Sequence, residues 1–141
     1  MIQAHDLSRF ENAHRRDYSK ALREIKNGRK TSHWMWYIFP QIHGLGFSST
    51  AQFYAIRSLD EAKAFLNDPY LGGNLAEISK ALLTLETNNA TKIFGFPDDL
   101  KLKSSMTLFK FAADDSSLFD AVLDKYYEGQ IDHQTKQILG L

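Results

Sequence analysis

Leu7-Ser8-Arg9-Phe10-Glu11-Asn12-Ala13-His14-Arg15-Arg16-Asp17-Tyr18-Ser19-Lys20-Ala21-Leu22-Arg23-Glu24-Ile25-Lys26-Asn27 is the stretch that sets the fold class. Phe10, His14, Tyr18, Ala21, Leu22 and Ile25 recur at helical spacing, so one stripe of this segment is built for burial. Arg15, Arg16, Lys20, Arg23 and Lys26 lie mostly off that stripe, where water reaches them. Ser8 with Glu11 three residues on has the form of a capping box, and Gly28 is a fitting stop.

The same punctuation recurs along the chain. Ser58-Leu59-Asp60-Glu61 reads as a second capping box, opening a helix that ends before Asn67-Asp68-Pro69. Asn74, after Gly72-Gly73, is expected to cap a third helix with Leu75, Ile78, Leu82 and Leu85 inward, ending at Asn88-Asn89. Gln52 to Ile56 reads as a short strand or an extended connection. Ile93-Phe94-Gly95-Phe96-Pro97 reads as a buried hinge. Asp98 and Asp99 favour a new helix start, with Leu102, Met106 and Phe109 inward. Ser116 or Ser117 opens the next helix, stopped by Gly129, and Asp132 caps a last short one. The expectation is a mainly α fold, one globular domain over residues 1–141 with about six to eight helices and short connections.

Composition narrows the function classes. A chain of 141 residues with 43% hydrophobic and 24% charged content suits one packed core. There is no cysteine, which excludes disulfides, thiolate metal sites and cysteine nucleophiles and fits a reducing cytoplasm. No apolar stretch follows a basic start, so no signal peptide is expected, and no run approaches the roughly 20 residues of a bilayer span. Net charge is zero, but residues 1–30 hold eight Lys/Arg against four Asp/Glu. Nucleic-acid binders usually show a stronger basic excess, so nucleic acid is not an expected partner. The histidines (5, 14, 33, 43 and 133) show no HxxxH or HxH spacing, and no metal is expected.

The segment Ser32-His33-Trp34-Met35-Trp36-Tyr37-Ile38-Phe39-Pro40-Gln41 concentrates both tryptophans, a histidine and a proline-terminated aromatic run, and Gly44-Leu45-Gly46-Phe47-Ser48 follows it. Together with Asp6, Arg9-Phe10, Gly28-Arg29-Lys30, Tyr54-Ala55-Ile56, Leu71-Gly72, Ile93-Phe94-Gly95, Lys101-Leu102, Ser104 to Phe109, Gly129, Asp132 and Thr135, it resembles a bacterial family known as domain of unknown function 1810. The resemblance spans essentially the whole chain. It implies a compact, mainly α-helical monomer and brings no established activity, cofactor or catalytic residue. His14 departs from the pattern, which usually has glutamine there. The calpastatin-like label sometimes attached to members finds no support, since such an inhibitor would be long and disordered.

The candidate chemistry lies in three places. His33 has the imidazole suited to proton transfer near neutral pH. Trp34 or Trp36 would stack on a planar ligand, and Gln41 would read a ring edge. The other reading of this segment is a core crossing, its indole and imidazole N–H groups bonded to backbone. Gly44 and Gly46 permit close backbone approach, with Ser48 as a donor, though neither the dinucleotide fingerprint nor a P-loop is present. On a helix, Lys101, Ser104 and Ser105 share one face, a cation with two hydroxyls suited to an anion. Its bland counterpart pairs Lys101 with Asp98 or Asp99. The functional expectation is a cytoplasmic monomer binding a small anionic ring-containing, nucleotide-like metabolite between the 32–48 segment and the 101–107 helix, with His33 as the acid or base if it also acts on that ligand. The alternative is a non-catalytic protein-binding or regulatory module. Whether it is an enzyme, and with what cofactor, stays open.

Overall fold

Phe10, Ala13, His14, Tyr18, Ala21 and Ile25 fall on one face of α1 (Ser8–Lys26) and all are buried, so the N-terminal stripe is a helix packed by its apolar side. The computed structural model describes residues 5–141. After α1 come α2 (Met35–Ile38), α3 (Ser49–Tyr54), α4 (Leu59–Asn67), α5 (Pro69–Thr84), α6 (Ala90–Phe94), α7 (Asp98–Ala112), α8 (Ser117–Tyr127) and α9 (His133–Ile138). The mainly α architecture agrees with the sequence reading. Among the described residues there are nine helices where six to eight were expected, because α2 and α3 are short turns inside stretches too brief to show helical periodicity. Also among the described residues, no helix is long and apolar enough to cross a membrane.

α1 packs on α5 and α2, α4 packs on α5 and α7, and α8 lies across α5 and α7. A relay of rings ties these helices together. Phe10 meets Phe65 edge-on at 5.2 Å, Phe65 meets Phe109 at 5.4 Å, and Phe109 meets Phe119 at 6.0 Å. Each such pair adds about 0.5–1.5 kcal/mol beyond the area it buries.

Several helix starts differ from the sequence expectation. α1 begins with Leu7 at its N-cap and Asp6 Oδ1 accepting from the Ser8 N–H at 2.9 Å, so Ser8 sits inside the helix and forms no capping box. The box at Ser58 does form on one side, with Ser58 Oγ accepting from the Glu61 N–H at 3.1 Å. α5 begins at Pro69, not Asn74: Asp68 Oδ2 accepts from the Leu71 N–H at 2.8 Å and Pro69 needs no N–H partner there. Gly72 is then interior, and a Cβ on it would meet the Leu66 carbonyl oxygen at 2.0 Å. That glycine is present for close packing on α4 and does not precede the helix. Asn89 caps α6, accepting from the Lys92 N–H at 3.2 Å. At α8, Asp115 Oδ1 takes the Ser117 N–H at 3.0 Å, a capping role expected of the serines.

Gln52 to Tyr54 belong to α3, while Ala55 and Ile56 are extended, Ile56 in an isolated parallel bridge with Ile42. Arg9 pins this stretch. Its Nε donates to Phe53 O and its Nη2 to Ala55 O, both at 2.9 Å, and Nη2 also meets Glu61 Oε1 at 2.7 Å. At the hinge Ile93 and Phe94 are buried as expected, but Phe96 is 76% exposed, because Gly95 at φ +76 turns the chain outward.

His14 completes the α1 face. Its Nε2–H donates to Tyr37 O at 2.8 Å and its Nδ1 accepts from Asn74 Nδ2 at 3.1 Å, an arrangement that suits the neutral ring. Burial lowers its pKa from 6.5 to about 4, against the opposing pull of the Tyr37 carbonyl and the Asp68 charge. The unfolded chain therefore takes up this proton below pH 6.5 while the folded chain resists until about 4, and stability falls as pH drops through that window. Between pH 7 and 5 the loss comes to about 2 kcal/mol. His14→Gln, which keeps a donor for Tyr37 O, should remove that slope. Urea unfolding at the two pH values measures it, and an unchanged slope in the variant would refute the assignment.

Candidate functional site

The aromatic segment is placed by a glutamate in the last turn of α1. Glu24 Oε1 accepts from the Thr31 N–H at 2.7 Å, the Ser32 N–H at 2.9 Å and Trp34 Nε1 at 2.9 Å, and its Oε2 from Ser32 Oγ at 2.6 Å. Burial opposes its ionisation, but these hydrogen bonds prevail and hold its pKa at about 2. Trp34 is thereby drawn into the core, fully buried. With Trp34 anchored there, Trp36 is left half-buried while Met35, Tyr37 and Ile38 pack inside.

A second set of contacts brings α7 to Trp36. The Lys30 N–H donates to Ile93 O at 2.8 Å, and Lys30 Nζ pairs with Asp98 Oδ2 at 2.9 Å. Asp98 Oδ1 pairs with Lys101 Nζ at 3.1 Å. Lys101 Nζ then sits 5.7 Å from the centre of the Trp36 ring, within cation–π range.

Between these elements lies a cavity of about 490 Å³. Six expected site residues line it: Trp36, Gln41, Gly46 and Ser48 on one side, Lys101 and Ser104 on the other. Gly46 admits no larger residue in place, since a Cβ would stand 2.6 Å from Ala51 Cβ. Of the remaining four, His33 opens instead on a neighbouring recess with Arg16, Tyr37 and Phe53, which shares only Trp36 with the cavity. Trp34 and Ser105 are buried in the core, away from any ligand. Gly44 is an exposed turn residue with φ +107 that does not line the cavity.

Three polar lining residues lie outside the expected site set. Lys103 lies two positions from Lys101, off the face that helical spacing selects, yet it lines the cavity, with its ammonium 5.9 Å from the centre of the Tyr127 ring. Asp132 was legible only as a helix cap, and Gln134 carried no signal. The wall thus offers two ammoniums, two amides, two serine hydroxyls, an indole and one carboxylate among the described residues. It contains no imidazole, so the arrangement is better suited to recognition than to proton transfer. Among the described residues, no group of three His, Cys, Asp or Glu side chains is placed to hold a metal ion. A separate recess near Arg9 is less available, because that guanidinium is already bonded to Phe53 O, Ala55 O and Glu61.

The sequence pattern of the family described as Protein of unknown function (DUF1810) matches residues 4–139. The chain is similar to the crystal structure of the conserved hypothetical protein Rv1873 from Mycobacterium tuberculosis, at 45% identity and a TM-score of 0.94, over 96% of this chain and 97% of that one. No curated protein matches it.

The two tryptophans should separate in solution. Acrylamide should quench wild-type emission in part, and Trp36→Phe should leave an emission that resists quenching. Equal quenching of wild type and variant would contradict the burial assigned to Trp34.

Proposed function

The chain belongs to the DUF1810 family of proteins of unknown function, and from the chemistry of its own cavity we propose that it binds a small anionic, ring-containing metabolite of nucleotide-like type. The observation that carries this reading is Lys101 Nζ held by Asp98 above the Trp36 ring inside a cavity of metabolite size. A partly exposed ion pair of this kind contributes about 0–1 kcal/mol, so an incoming anion displaces Asp98 at little cost. Lys103 supplies a second positive charge, Ser48 and Ser104 supply hydroxyls, and Gln41 offers a donor and an acceptor to a ring edge. The reading takes the protein as a cytoplasmic monomer, in keeping with its cysteine-free sequence. Acid–base work by His33 belongs to this proposal only for a ligand long enough to pass Trp36 into the adjoining recess.

A second reading has its own support. Phe47 is 85% exposed and Leu100 is 52% exposed at the mouth of the cavity, and such apolar groups suit a protein partner. Docking of that kind would depend on Phe47 and Leu100 and be indifferent to Lys101.

A thermal-shift screen against nucleotides, sugar phosphates and aromatic acids separates the two. A bound ligand at about 100 times its dissociation constant adds roughly 2.7 kcal/mol of stability. Lys101→Ala and Trp36→Ala should each abolish the shift, and His33→Ala should leave it in place. No shift with any member of the panel would overturn the metabolite reading.

A further inference from the structure

Asp132 is the single carboxylate among the described residues of the cavity wall, and it is held unusually firmly. Its backbone N–H donates to Thr107 Oγ1 at 2.9 Å, and that hydroxyl donates in turn to Lys103 O at 2.8 Å. Its Oδ2 accepts from the Thr135 N–H at 3.0 Å and from the Thr135 hydroxyl, and it shares the Ser104 hydroxyl proton with Leu100 O, each 3.2 Å from Ser104 Oγ. Every hydrogen bond the side chain makes among the described residues goes to that one oxygen. Oδ1 has no such partner and belongs to a residue facing the cavity. Capping α9 therefore fixes the carboxylate and leaves one acceptor free for a ligand.

An ionised carboxylate only accepts, so whatever meets Oδ1 must bring donors. The choice of donor is narrowed by the neighbours. A ligand ammonium at Asp132 would share the cavity with the ammoniums of Lys101 and Lys103, whereas neutral hydroxyls satisfy the acceptor without that repulsion. Lys101 and Ser104 are one helical turn apart, about 4.5 Å along the axis, and Asp132 is bonded to Ser104. The cation and the acceptor therefore line one cavity from adjoining positions, Lys101 one turn before the serine that Asp132 meets. Gln134 adds a donor and an acceptor on the same side.

We propose that Asp132 reads the vicinal hydroxyls of a ribose, so that the cavity takes a ribonucleoside monophosphate in preference to its deoxy counterpart or a sugar-free anion. This rests on the metabolite reading above and adds the identity of the middle part of the ligand: phosphate at Lys101 and Lys103, base on the Trp36 side, sugar at Asp132. Ring stacking and phosphate pairing do not distinguish ribose from deoxyribose. The carboxylate does.

Calorimetric titration of the whole chain with adenosine 5′-monophosphate and with 2′-deoxyadenosine 5′-monophosphate tests it. Hydrogen bonds to a charged group predict a ribose preference of at least about tenfold. Asp132→Asn keeps a carbonyl to accept the Thr135 N–H and should bind both nucleotides with the deoxy affinity. Asp132→Ser, another good capping residue, should behave the same, which guards against a fold defect peculiar to the amide. Lys101→Ala should weaken both nucleotides and leave their ratio unchanged. Equal wild-type affinity for the two overturns the role of Asp132 while leaving an anion cavity standing, as does tighter binding of phosphoserine than of either nucleotide. Persistence of the preference in both Asp132 variants assigns it elsewhere. Absence of binding by either nucleotide and by ribose 5-phosphate removes this proposal together with the nucleotide-like reading beneath it.

Discussion

The rest of the structure around the cavity depends on one buried carboxylate. Glu24 gathers two backbone N–H groups, a serine hydroxyl and the Trp34 indole. Moving a carboxylate out of water costs several kcal/mol, and hydrogen bonds to a charged group return about 1.5–3 kcal/mol each, so the four together offset it. The result is directional. The chain leaving α1 has one path, Trp34 enters the core beside Phe39 and Phe94, and Trp36 is left turned to the cavity. Lys30, on the same turn, reaches Asp98 and sets where α7 begins relative to Trp36. A purely apolar anchor would bury the segment equally well but would not fix its rotation.

The physical origin of what was legible in the sequence follows from this. Helices long enough to repeat an apolar stripe, such as α1 and α7, announce themselves because their periodicity reflects a core that must be covered on one side. Short turns do not. α2 has four residues and its identity comes from Glu24 and the α1 face, neither of which lies within its own window. Caps were misread where two polar residues compete. Ser8 and Asp6 both have the right chemistry, and Asn74 and Asp68 likewise, and the winner is set by where packing lets the helix begin.

The candidate site divides in the same way. Of the two tryptophans, Trp34 is drawn inward by the acceptor at Glu24, ten residues earlier in sequence, and Trp36 is left facing the cavity. His33 and Trp36 are three residues apart, yet only Trp36 reaches the cavity, while His33 is confined to the recess on its other side. Ser105 looks equivalent to Ser104 by composition. Yet the first donates to nothing among the described residues and faces the core, while the second bonds Asp132 at the cavity. Helical spacing groups residues within a wide arc. Packing divides that arc more finely than spacing can.

Asp132 illustrates why the polar residues of this cavity resist assignment to structure or function alone. Its cap on α9 satisfies backbone and hydroxyl donors that would otherwise be stranded, and a sequence reader sees only that role. A capping carboxylate has two oxygens, however, and the cap engages one. The second oxygen is held by the same bonds without taking part in them. A group positioned in this manner carries little additional entropy loss when a ligand binds, because its side chain is already ordered in the free protein. The same holds for Lys101, kept over Trp36 by Asp98 before any ligand arrives. Charge pairing and helix capping, both explicable by folding alone, therefore leave the cavity with its cation, its acceptor and its aromatic wall fixed in advance.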